Sequence, residues 1–594
     1  MHVFVHLRST PIIIVTAFVF LALPAFGQQF KLNSGAYMKN EGAVFIIISN
    51  GDLVNNGTYT KSTETVTFSG TSAGTISGSS NIDMNSLSVT NSGGITTQVS
   101  LLTSNTLTIA SGSRFTIDPA KTVTVTGTLT NSVGSSGLVM QSDATGTASL
   151  IHNTDDVPAT VNRYIGGSAE AWHFLSSPVS AQGISGQWIP AGTYGNGTGY
   201  DLYVWDEASS CWIYKLNTTA PINWNTVHPE VNFVVERGYL YSFQAANPSK
   251  QFSGSLNNGN MTYALTNSGT DLSLKGFNLV GNPFPSSADW QAASGWTRSN
   301  LVTTGSGFDM WIWNPLASNY GVINSASGSG TNGVTRYIAP MQGFFVRAES
   351  TGNLGIANSV RVHDGAVDWL KKSAGTDVNV IGINVNSETG IGFDEVLLQF
   401  GSKQNEPGAM KLFSHVLTAP SLFLSLQGEN LSVRYLTDTT DNPIIPLMFK
   451  PGMDGEYSLQ FTFDIDQFET VLLEDRLHHL FQDLKSENIY KFKSSKTDNQ
   501  SRFILHFASI EPQSNPELPV SIYSVGNQLV IDLSMISNET EIMVCDILGR
   551  PFIRKKLQGE ALYYVGINSE NQMLIVRLNN SKGVVSRKIM WINN

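Results

Sequence analysis

Tryptophan is the residue of this sequence whose type and placement best suit the binding of a ligand. Nine of the 11 tryptophans fall between residues 172 and 313 of the 594-residue chain. An exposed aromatic ring can hold a sugar ring through apolar contact and CH–π attraction. Trp205 and Trp313 alternate with other apolar residues, so we expect them in the core. Four stand in polar, loop-like surroundings and are our candidates for a ligand-binding surface: Trp212, Trp224, Trp290 and Trp296.

Residue patterns typical of catalysis or metal binding are scarce. The chain has no His-Glu-x-x-His, no Cys-x-x-Cys and no phosphate loop. His478 and His479 are adjacent, so on a strand they point apart and do not share a metal. The aspartates at positions 155, 156, 464 and 466 lack the further oxygen ligands of a calcium loop. We predict no catalytic residue, no metal and no cofactor, but a glycosidase needs only two carboxylates whose separation a sequence does not reveal, so catalysis stays open.

The tryptophans lie in a stretch, residues 152–370, that carries an internal duplication. Three motifs recur in one order: residues 172–178 match 277–283 at an offset of 105, residues 200–206 match 308–314 at 108, and residues 237–241 match 342–346 at 105. Three matches at nearly one offset predict that a β-rich unit of about 105 residues is present twice. Its halves form either one body or two small domains.

Residues 28–151 repeat a shorter pattern. Leu107-Thr108-Ile109, Phe115-Thr116-Ile117 and Val123-Thr124-Val125 begin eight positions apart, with Asn, Ser, Gly or Pro nearby. A period of two buries the outer apolar residues and turns the central threonine outward. Short strands with polar corners, at about 20 residues per coil, predict a β-solenoid. A sandwich of short hairpins is the alternative.

Residues 371–510 are predicted to form a further β-sandwich. Within it, residues 473–484 are ambiguous, because Leu473 and Leu477 begin a helical spacing. The β-branched and aromatic runs on either side favour strands instead. The Pro-rich residues 511–517 are predicted to be an exposed linker.

Residues 518–594 contain seven short β-branched or aromatic runs. Turn residues such as Gly526-Asn527 and Leu548-Gly549-Arg550 separate the runs. This order predicts a small, seven-stranded, Ig-like sandwich. The predicted fold class of the whole chain is therefore all-β, with solenoid-like repeats, a duplicated sandwich-like region, a further sandwich and the Ig-like domain.

This tail resembles the C-terminal sorting domain of the type IX secretion system of Bacteroidota. The resemblance rests on the order of the strands, on Asp546-Ile547-Leu548-Gly549-Arg550 after the third, and on Gly583 and Lys588 in the last. It implies that the type IX secretion machinery recognises residues 518–594 and delivers the protein to the outer-membrane surface or the medium. It also implies cleavage by a sorting peptidase near residues 511–517.

Residues 1–27 have the features of a secretory signal peptide. Arg8 gives a basic start, an apolar run from Pro11 to Leu23 follows, and Ala25-Phe26-Gly27 fits the small-x-small cleavage rule. Elsewhere no apolar segment reaches about 18 residues, so we expect no transmembrane segment in the mature chain. The two cysteines fall in different predicted domains, so a disulfide framework is not expected.

The composition narrows the class of partner. Charged residues make up 14% of the chain, below the usual figure of about 25%. The net charge of −11 argues against a nucleic-acid partner, since phosphate binding needs a basic face.

Two functions of different class fit these observations. The first is a non-enzymatic secreted or cell-surface protein, in which solenoid and sandwich modules present an adhesion surface to a glycan or a cell-surface protein. The second is a glycan-binding or polysaccharide-processing factor that acts through the duplicated aromatic-rich region. Exposed aromatic rings beside paired carboxylates in a groove would favour the second.

Overall fold

A computed structural model gives the architecture of the chain. It describes residues 3–5, 13–15, 28–188, 202–217, 221–243, 245–326, 328–364, 379–388, 390, 392–507, 520–525, 528–536, 538–546, 549–558, 562–567, 572–581 and 583–591. The predicted signal peptide lies largely outside the described residues, with the short strands β1 (Val3–Val5) and β2 (Ile13–Val15) described within it. The predicted linker, residues 511–517, lies outside them entirely.

The chain divides into two compact units. Residues 1–315, 323–328 and 333–373 form the first, and residues 316–322, 329–332 and 374–594 form the second. Both are built almost wholly of strands, so the all-β prediction is confirmed.

The first unit begins with stacked coils of short strands. These strands are β3 (Gln28–Leu32), β4 (Tyr37–Lys39), β5 (Phe45–Ser49), β6 (Gly51–Asn55), β7 (Thr58–Thr60), β8 (Thr65–Ser69), β9 (Gly74–Ser77), β10 (Ile82–Val89), β11 (Ile95–Thr97), β12 (Leu101–Ile109), β13 (Phe115–Ile117), β14 (Thr122–Val125), β15 (Thr128–Asn131), β16 (Leu138–Met140), β17 (Ser142–Asp143), β18 (Gly146–Thr147), β19 (Ser149–His152) and β20 (Pro158–Tyr164).

Parallel pairing shows that these coils form a solenoid. Leu87 pairs with Val66 on one side and with Leu107 on the other, in parallel register and fully buried. Strands about 20 residues apart are thus neighbours, as a solenoid requires. The hairpin-sandwich alternative is wrong, because hairpins would pair antiparallel. The first solenoid sheet contains the run β19-β14-β12-β10-β8-β5, with β15 also paired to β12, and the second solenoid sheet contains the run β20-β16-β13-β11-β9-β6-β3.

The duplicated region completes the first unit. Its elements are β21 (Trp172–Leu175), β22 (Leu202–Asp206), β23 (Cys211–Tyr214), helix α1 (Trp224–Val227), β24 (Tyr239–Ser242), β25 (Ser249–Ser255), β26 (Met261–Leu265), β27 (Phe277–Gly281), β28 (Ser287–Asp289), β29 (Trp296–Thr297), β30 (Thr303–Thr304), β31 (Gly307–Asn314), β32 (Asn319–Asn324), β33 (Tyr337–Ile338), β34 (Gly343–Arg347), β35 (Gly352–Ile356) and β36 (Arg361–Val362), with 3-10 turns at Gly186–Trp188 and Asn358–Val360.

The two copies of the repeat have the same strand arrangement. In the first copy β24 lies between β21 and β22, and in the second copy β34 lies between β27 and β31. These six strands are the segments that the sequence motifs matched. Trp205 and Trp313 are buried, as predicted from their apolar neighbours.

The second unit contains one long, folded sheet. Its strands are β37 (Val380–Ser387), β38 (Phe393–Phe400), β39 (Glu406–Met410), β40 (Ser421–Leu426), β41 (Glu429–Leu436), β42 (Ile444–Lys450), β43 (Gly455–Thr462), β44 (Leu472–Asp475), β45 (Leu480–Asp483), β46 (Ile489–Ser494) and β47 (Phe503–His506). The order is β45-β44-β47-β42-β40-β41-β38-β37-β43-β46, and β39 pairs with β41. Strands β44 and β45 occupy the segment that was ambiguous in sequence, so the helical alternative is wrong there.

The predicted seven-stranded tail is present in the second unit. Its strands are β48 (Ser521–Val525), β49 (Gln528–Asp532), β50 (Thr540–Asp546), β51 (Pro551–Leu557), β52 (Leu562–Gly566), β53 (Gln572–Asn580) and β54 (Gly583–Trp591). They form two sheets, β48-β49-β52 and β51-β50-β53-β54. One cluster of apolar side chains, including Ile531, Val544, Val576 and Trp591, is buried between them.

Candidate functional site

Two of the four candidate tryptophans lie in the core. Trp224, the first residue of α1, is 1% exposed, and Trp290, which follows β28, is 0% exposed. Trp290 Nε1 donates to the carbonyl oxygen of Phe308 at 2.9 Å. The Lys215 ammonium lies 4.6 Å from the centre of the Trp224 ring. The expectation that these two rings lie at the surface is therefore wrong, because both are packed into the apolar cores of the first unit.

Trp212 and Trp296 are half-buried. The Trp212 ring lies 5.2 Å from that of Trp205. Trp296 Nε1 donates to the carbonyl oxygen of Asp289 at 2.8 Å, and its ring lies 4.9 Å from that of Trp290. Of the four candidates, the structure thus brings Trp290 and Trp296 into contact. Trp212 packs elsewhere, against Trp205. Sugar binding by the exposed parts of the Trp212 and Trp296 rings stays a prediction.

A groove on the solenoid is a second candidate site. Its volume is about 590 Å³, and it runs over the outer face of the second solenoid sheet. Thr96 on β11 and Thr116 on β13 are paired neighbours and form its floor. Arg114 and Asp118 flank β13, and Asp143 comes from the hairpin of β17 and β18.

Strand alternation explains why these side chains share one face. Phe115 and Ile117 are fully buried between the two solenoid sheets. Since alternate residues of a strand point to opposite faces, Arg114, Thr116 and Asp118 all point outward. The apolar pair that holds the coil in the stack therefore also aims a cation, a hydroxyl group and a carboxyl group into the groove.

The two carboxyl groups of the groove differ in their environments. Burial raises the pKa of Asp118, against the opposing effects of a hydrogen bond from Gln98 and the charge of Lys121. Hydrogen bonds from Thr145 lower the pKa of Asp143, whose Oδ1 accepts the Thr145 amide at 2.7 Å and its hydroxyl at 2.6 Å. The pKa values of the two carboxyl groups are thus shifted in opposite directions.

Together these groups suit a ligand rich in hydroxyl groups. Carboxylate oxygens accept hydrogen bonds from hydroxyl groups, threonine both donates and accepts, and a guanidinium group donates. The described lining of the groove holds no aromatic ring. The two carboxyl groups of this groove, those of Asp118 and Asp143, thus lie on the solenoid and not beside the candidate tryptophans.

Sequence reasoning missed this groove because its residues form no local motif. The signal that could have found them is spacing: Asp118 and Asp143 each follow a short apolar strand, about one coil apart, in a region with few charges.

A second missed pattern is Gly70-Thr71-Ser72-Ala73-Gly74, which has the spacing of a nucleophile elbow. It forms the turn between β8 and β9, in which Asn50 Oδ1 accepts the amides of Thr71 and Ser72. That turn joins two strands rather than a strand and a helix, so it is not an elbow.

Comparison with known proteins places the chain in a family. The family described as "Domain of unknown function (DUF8693)" matches residues 79–507. The chain belongs to this family. No curated protein matches the chain.

The DUF8693 match begins two residues after the end of β9 and ends one residue after the end of β47. It includes most of the groove, the whole duplicated region and the folded sheet of the second unit. It does not extend to the seven-stranded domain. Among the described residues of this DUF8693 member, no group of three or more His, Cys, Asp or Glu side chains is arranged to hold a metal. No described helix has the length and apolar character needed to span a membrane.

Proposed function

We propose that the protein is exported by the type IX secretion machinery through residues 518–594 and acts as a non-enzymatic adhesion or interaction protein, secreted or at the cell surface. The observation that carries this proposal is the tail, with seven strands in two sheets. The resemblance to sorting domains noted in the sequence involves these same seven segments. The signal-peptide pattern of residues 1–27 is consistent with the same route.

An ion pair between Asp546, at the end of β50, and Arg550, just before β51, also supports the proposal. Asp546 is 1% exposed, and its carboxylate accepts the Arg550 amide at 2.9 Å and the Arg550 Nε at 2.6 Å. Gly549 has a φ of 81°, a conformation that glycine adopts without strain. The Arg550 side chain is 76% exposed. An exposed guanidinium group held by a buried carboxylate is a suitable feature for recognition by a secretion receptor.

The stiffness of the solenoid supports a role in holding other modules of the chain away from the cell surface. Its coils are joined by continuous parallel ladders, such as the pairing of Phe115 with Ile95 and with Leu138. Such stacking makes each coil stiffen the next, so a module attached to the solenoid is held at a fixed distance.

Export is tested in a Bacteroidota strain that has the type IX machinery. The full chain is compared with a chain that stops at residue 518, and with an unrelated reporter that carries a signal peptide and residues 519–594. The reporter is needed because truncation also removes Asp532, which pairs with the buried Arg476. We expect the full chain and the reporter at the surface or in the medium, and the truncated chain in the periplasm. Surface delivery of the truncated chain together with periplasmic retention of the reporter would refute the proposal.

A second function, glycan binding in the solenoid groove, is favoured by the unlike carboxyl groups of Asp118 and Asp143 beside Arg114. Two carboxyl groups in one groove are also the minimum that glycoside hydrolysis requires. The tests of this function therefore record both binding and hydrolysis.

The purified chain is incubated with immobilised polysaccharides, and both retention and released reducing ends are measured. Asp118→Asn is the test variant, and Asp52→Asn is the matched control, because Asp52 lies on the same solenoid sheet outside the groove lining. Loss of a charged hydrogen bond should weaken retention about tenfold in the first variant only. Release of reducing ends that depends on Asp118 would make the protein a hydrolase. Equal retention by both variants would exclude the groove.

A further inference from the structure

Asp394 and Lys411 form an ion pair in the core of the second unit. The aspartate side chain is 0% exposed and the lysine side chain 1% exposed. Asp394 is the second residue of β38, and Lys411 directly follows β39. The two strands are both paired to β41, which brings the two side chains together from different segments of the sheet.

The Asp394 carboxylate is surrounded by donors. Oδ1 accepts Asn332 Nδ2 and the Glu395 amide, each at 2.9 Å. Oδ2 accepts the Leu422 amide at 2.8 Å and Lys411 Nζ. A carboxylate has about four acceptor positions, and here all of them are used.

The Lys411 amine is less well matched to its surroundings. An ammonium group has three N–H donors, and within the described part of the chain Nζ has Asp394 as its partner. Buried donors without acceptors and buried charges are both costly. Two other buried ion pairs of this unit, Arg476 with Asp532 and Arg502 with Asp475, use arginine. A guanidinium group keeps its proton, whereas a buried lysine can release it and act as a nucleophile.

We infer that Lys411 and Asp394 condense to an intramolecular amide, which crosslinks the segment after β39 to β38. A proton first moves from Nζ to Oδ2, which leaves a neutral amine and a neutral carboxylic acid. Nζ then adds to Cγ. The Cγ–Oδ2 bond breaks, and Oδ2 leaves as water with its proton and one proton from nitrogen. The product is a secondary amide, and no oxidant or other reactant is consumed.

The surroundings of the pair favour each step. The fold holds amine and carboxyl group in contact, which removes the entropy cost of an encounter. Asn332 Nδ2 and the Glu395 amide point at Oδ1, the oxygen that gains negative charge when Nζ adds to Cγ. The amide then replaces two buried charges by a neutral group with a single N–H donor. A covalent crosslink of this kind suits a surface protein under mechanical load.

Mass spectrometry of the full wild-type chain tests the inference directly. We expect an intact mass lower by one water than the sequence requires. Proteolysis should yield a branched peptide in which Lys411 is joined to Asp394, which separates this bond from water loss elsewhere. A chain of full sequence mass, with Lys411 and Asp394 recovered in separate unmodified peptides, would overturn the inference.

A matched pair of variants localises the reaction. Lys411→Arg keeps the positive charge but removes the nucleophile, so its mass should equal that required by its sequence. Lys493→Arg is the control, because Lys493 is exposed at 82% and pairs with Glu456 at the surface. It should lose one water as the wild type does. Since the wild-type peptides alone decide the question, failure of Lys411→Arg to fold would not obscure the result.

Discussion

Leu175 and Gln342 form an isolated antiparallel bridge, and Arg237 and Val280 form another. Val280 follows Leu175 by 105 positions, and Gln342 follows Arg237 by the same number. The same two positions of the repeat therefore meet twice, with the roles of the copies exchanged. Such exchange is the property of a two-fold, isologous contact, which here lies within one chain.

Backbone hydrogen bonds repeat this relationship. The Ser176 amide donates to the carbonyl oxygen of Met341 at 3.0 Å, and the Gly281 amide donates to that of Glu236 at 3.2 Å. Gly281 and Met341 again follow Ser176 and Glu236 by 105 positions. The two copies thus form one body, which resolves the alternative that their sequences left open.

Substitution of Gly281 should disturb this two-fold contact. A Cβ atom there would lie 2.1 Å from Ser176 Cβ and 3.1 Å from the carbonyl oxygen of Arg237. Gly281→Ala is therefore expected to destabilise the first unit by about 1–3 kcal/mol through overpacking. Gly328→Ala is the control, since a Cβ at Gly328 meets open space. Thermal unfolding of the two variants should differ by several degrees; identical melting would contradict a tight contact at Gly281.

How far the sequence predicts this fold depends on the range of the interactions. The stacked residues Leu87 and Leu107 follow from a local repeat, because each coil contacts only its neighbours. Strand β44 is likewise favoured by the β-branched and aromatic runs on either side of it. The duplication is visible because each strand kept its motif. In each case the pattern that forms the element is contiguous in the chain.

The candidate site was less predictable because its contacts are not local. Trp224 stands among polar residues, and Asn223 caps α1 through a side-chain hydrogen bond to the Thr226 amide. These are features of a surface turn, yet the ring is buried by other segments. The pair of Asp394 and Lys411 similarly arises from sheet pairing, which sequence periodicity does not specify.

Replacement of Trp290 should reveal a structural role. Its ring is fully buried, and the Arg298 guanidinium lies 4.3 Å from the ring centre. Trp290→Ala is expected to cost about 3–5 kcal/mol of unfolding free energy by leaving a cavity. Trp296→Ala, at a half-buried ring, should cost less. Denaturant unfolding measures both; a smaller loss for Trp290 than for Trp296 would contradict the burial seen here.

His363 should make the first unit sensitive to acid. Its Nε2 lies 2.8 Å from Thr124 Oγ1 and its Nδ1 lies 2.8 Å from Ser149 Oγ. Burial lowers the pKa of His363 to about 4, from an ordinary value of 6.5, although the charge of Asp364 acts in the opposite direction. Below pH 6.5 the unfolded chain gains a proton that the folded chain excludes. The stabilising contribution is therefore complete above pH 6.5 and is lost as the pH falls towards 4.

The variant His363→Gln removes that dependence. Between pH 6.5 and 4, the uptake of one proton changes the free energy of unfolding by at most about 1.4 kcal/mol per pH unit. The stability of the variant should therefore fall less steeply with decreasing pH than that of the wild type, by up to this amount per pH unit. Burial also lowers the pKa values of His152 and His173 to about 4, so these two residues still contribute to the pH dependence of the variant's stability. Thermal melts from pH 7.5 to 4.5 measure the slope, with the exposed His479→Gln as control. Equal slopes for the wild type and His363→Gln would contradict the prediction.

The seven-stranded domain should depend on a buried ion pair with the preceding sheet. Arg476 Nη1 lies 2.6 Å from Asp532 Oδ2, with the side chains 4% and 5% exposed. The same Nη1 donates to Ser534 Oγ at 2.9 Å. Removal of one partner leaves a buried charge, so Asp532→Ala should cost about 3–5 kcal/mol. Replacement of both by apolar residues, Arg476→Met with Asp532→Leu, should recover most of that loss, because no unpaired charge then remains. Denaturant unfolding of both variants and of the wild type measures their free energies of unfolding. A double variant less stable than Asp532→Ala would contradict this prediction, because the ion pair itself would then stabilise the domain more than apolar packing does.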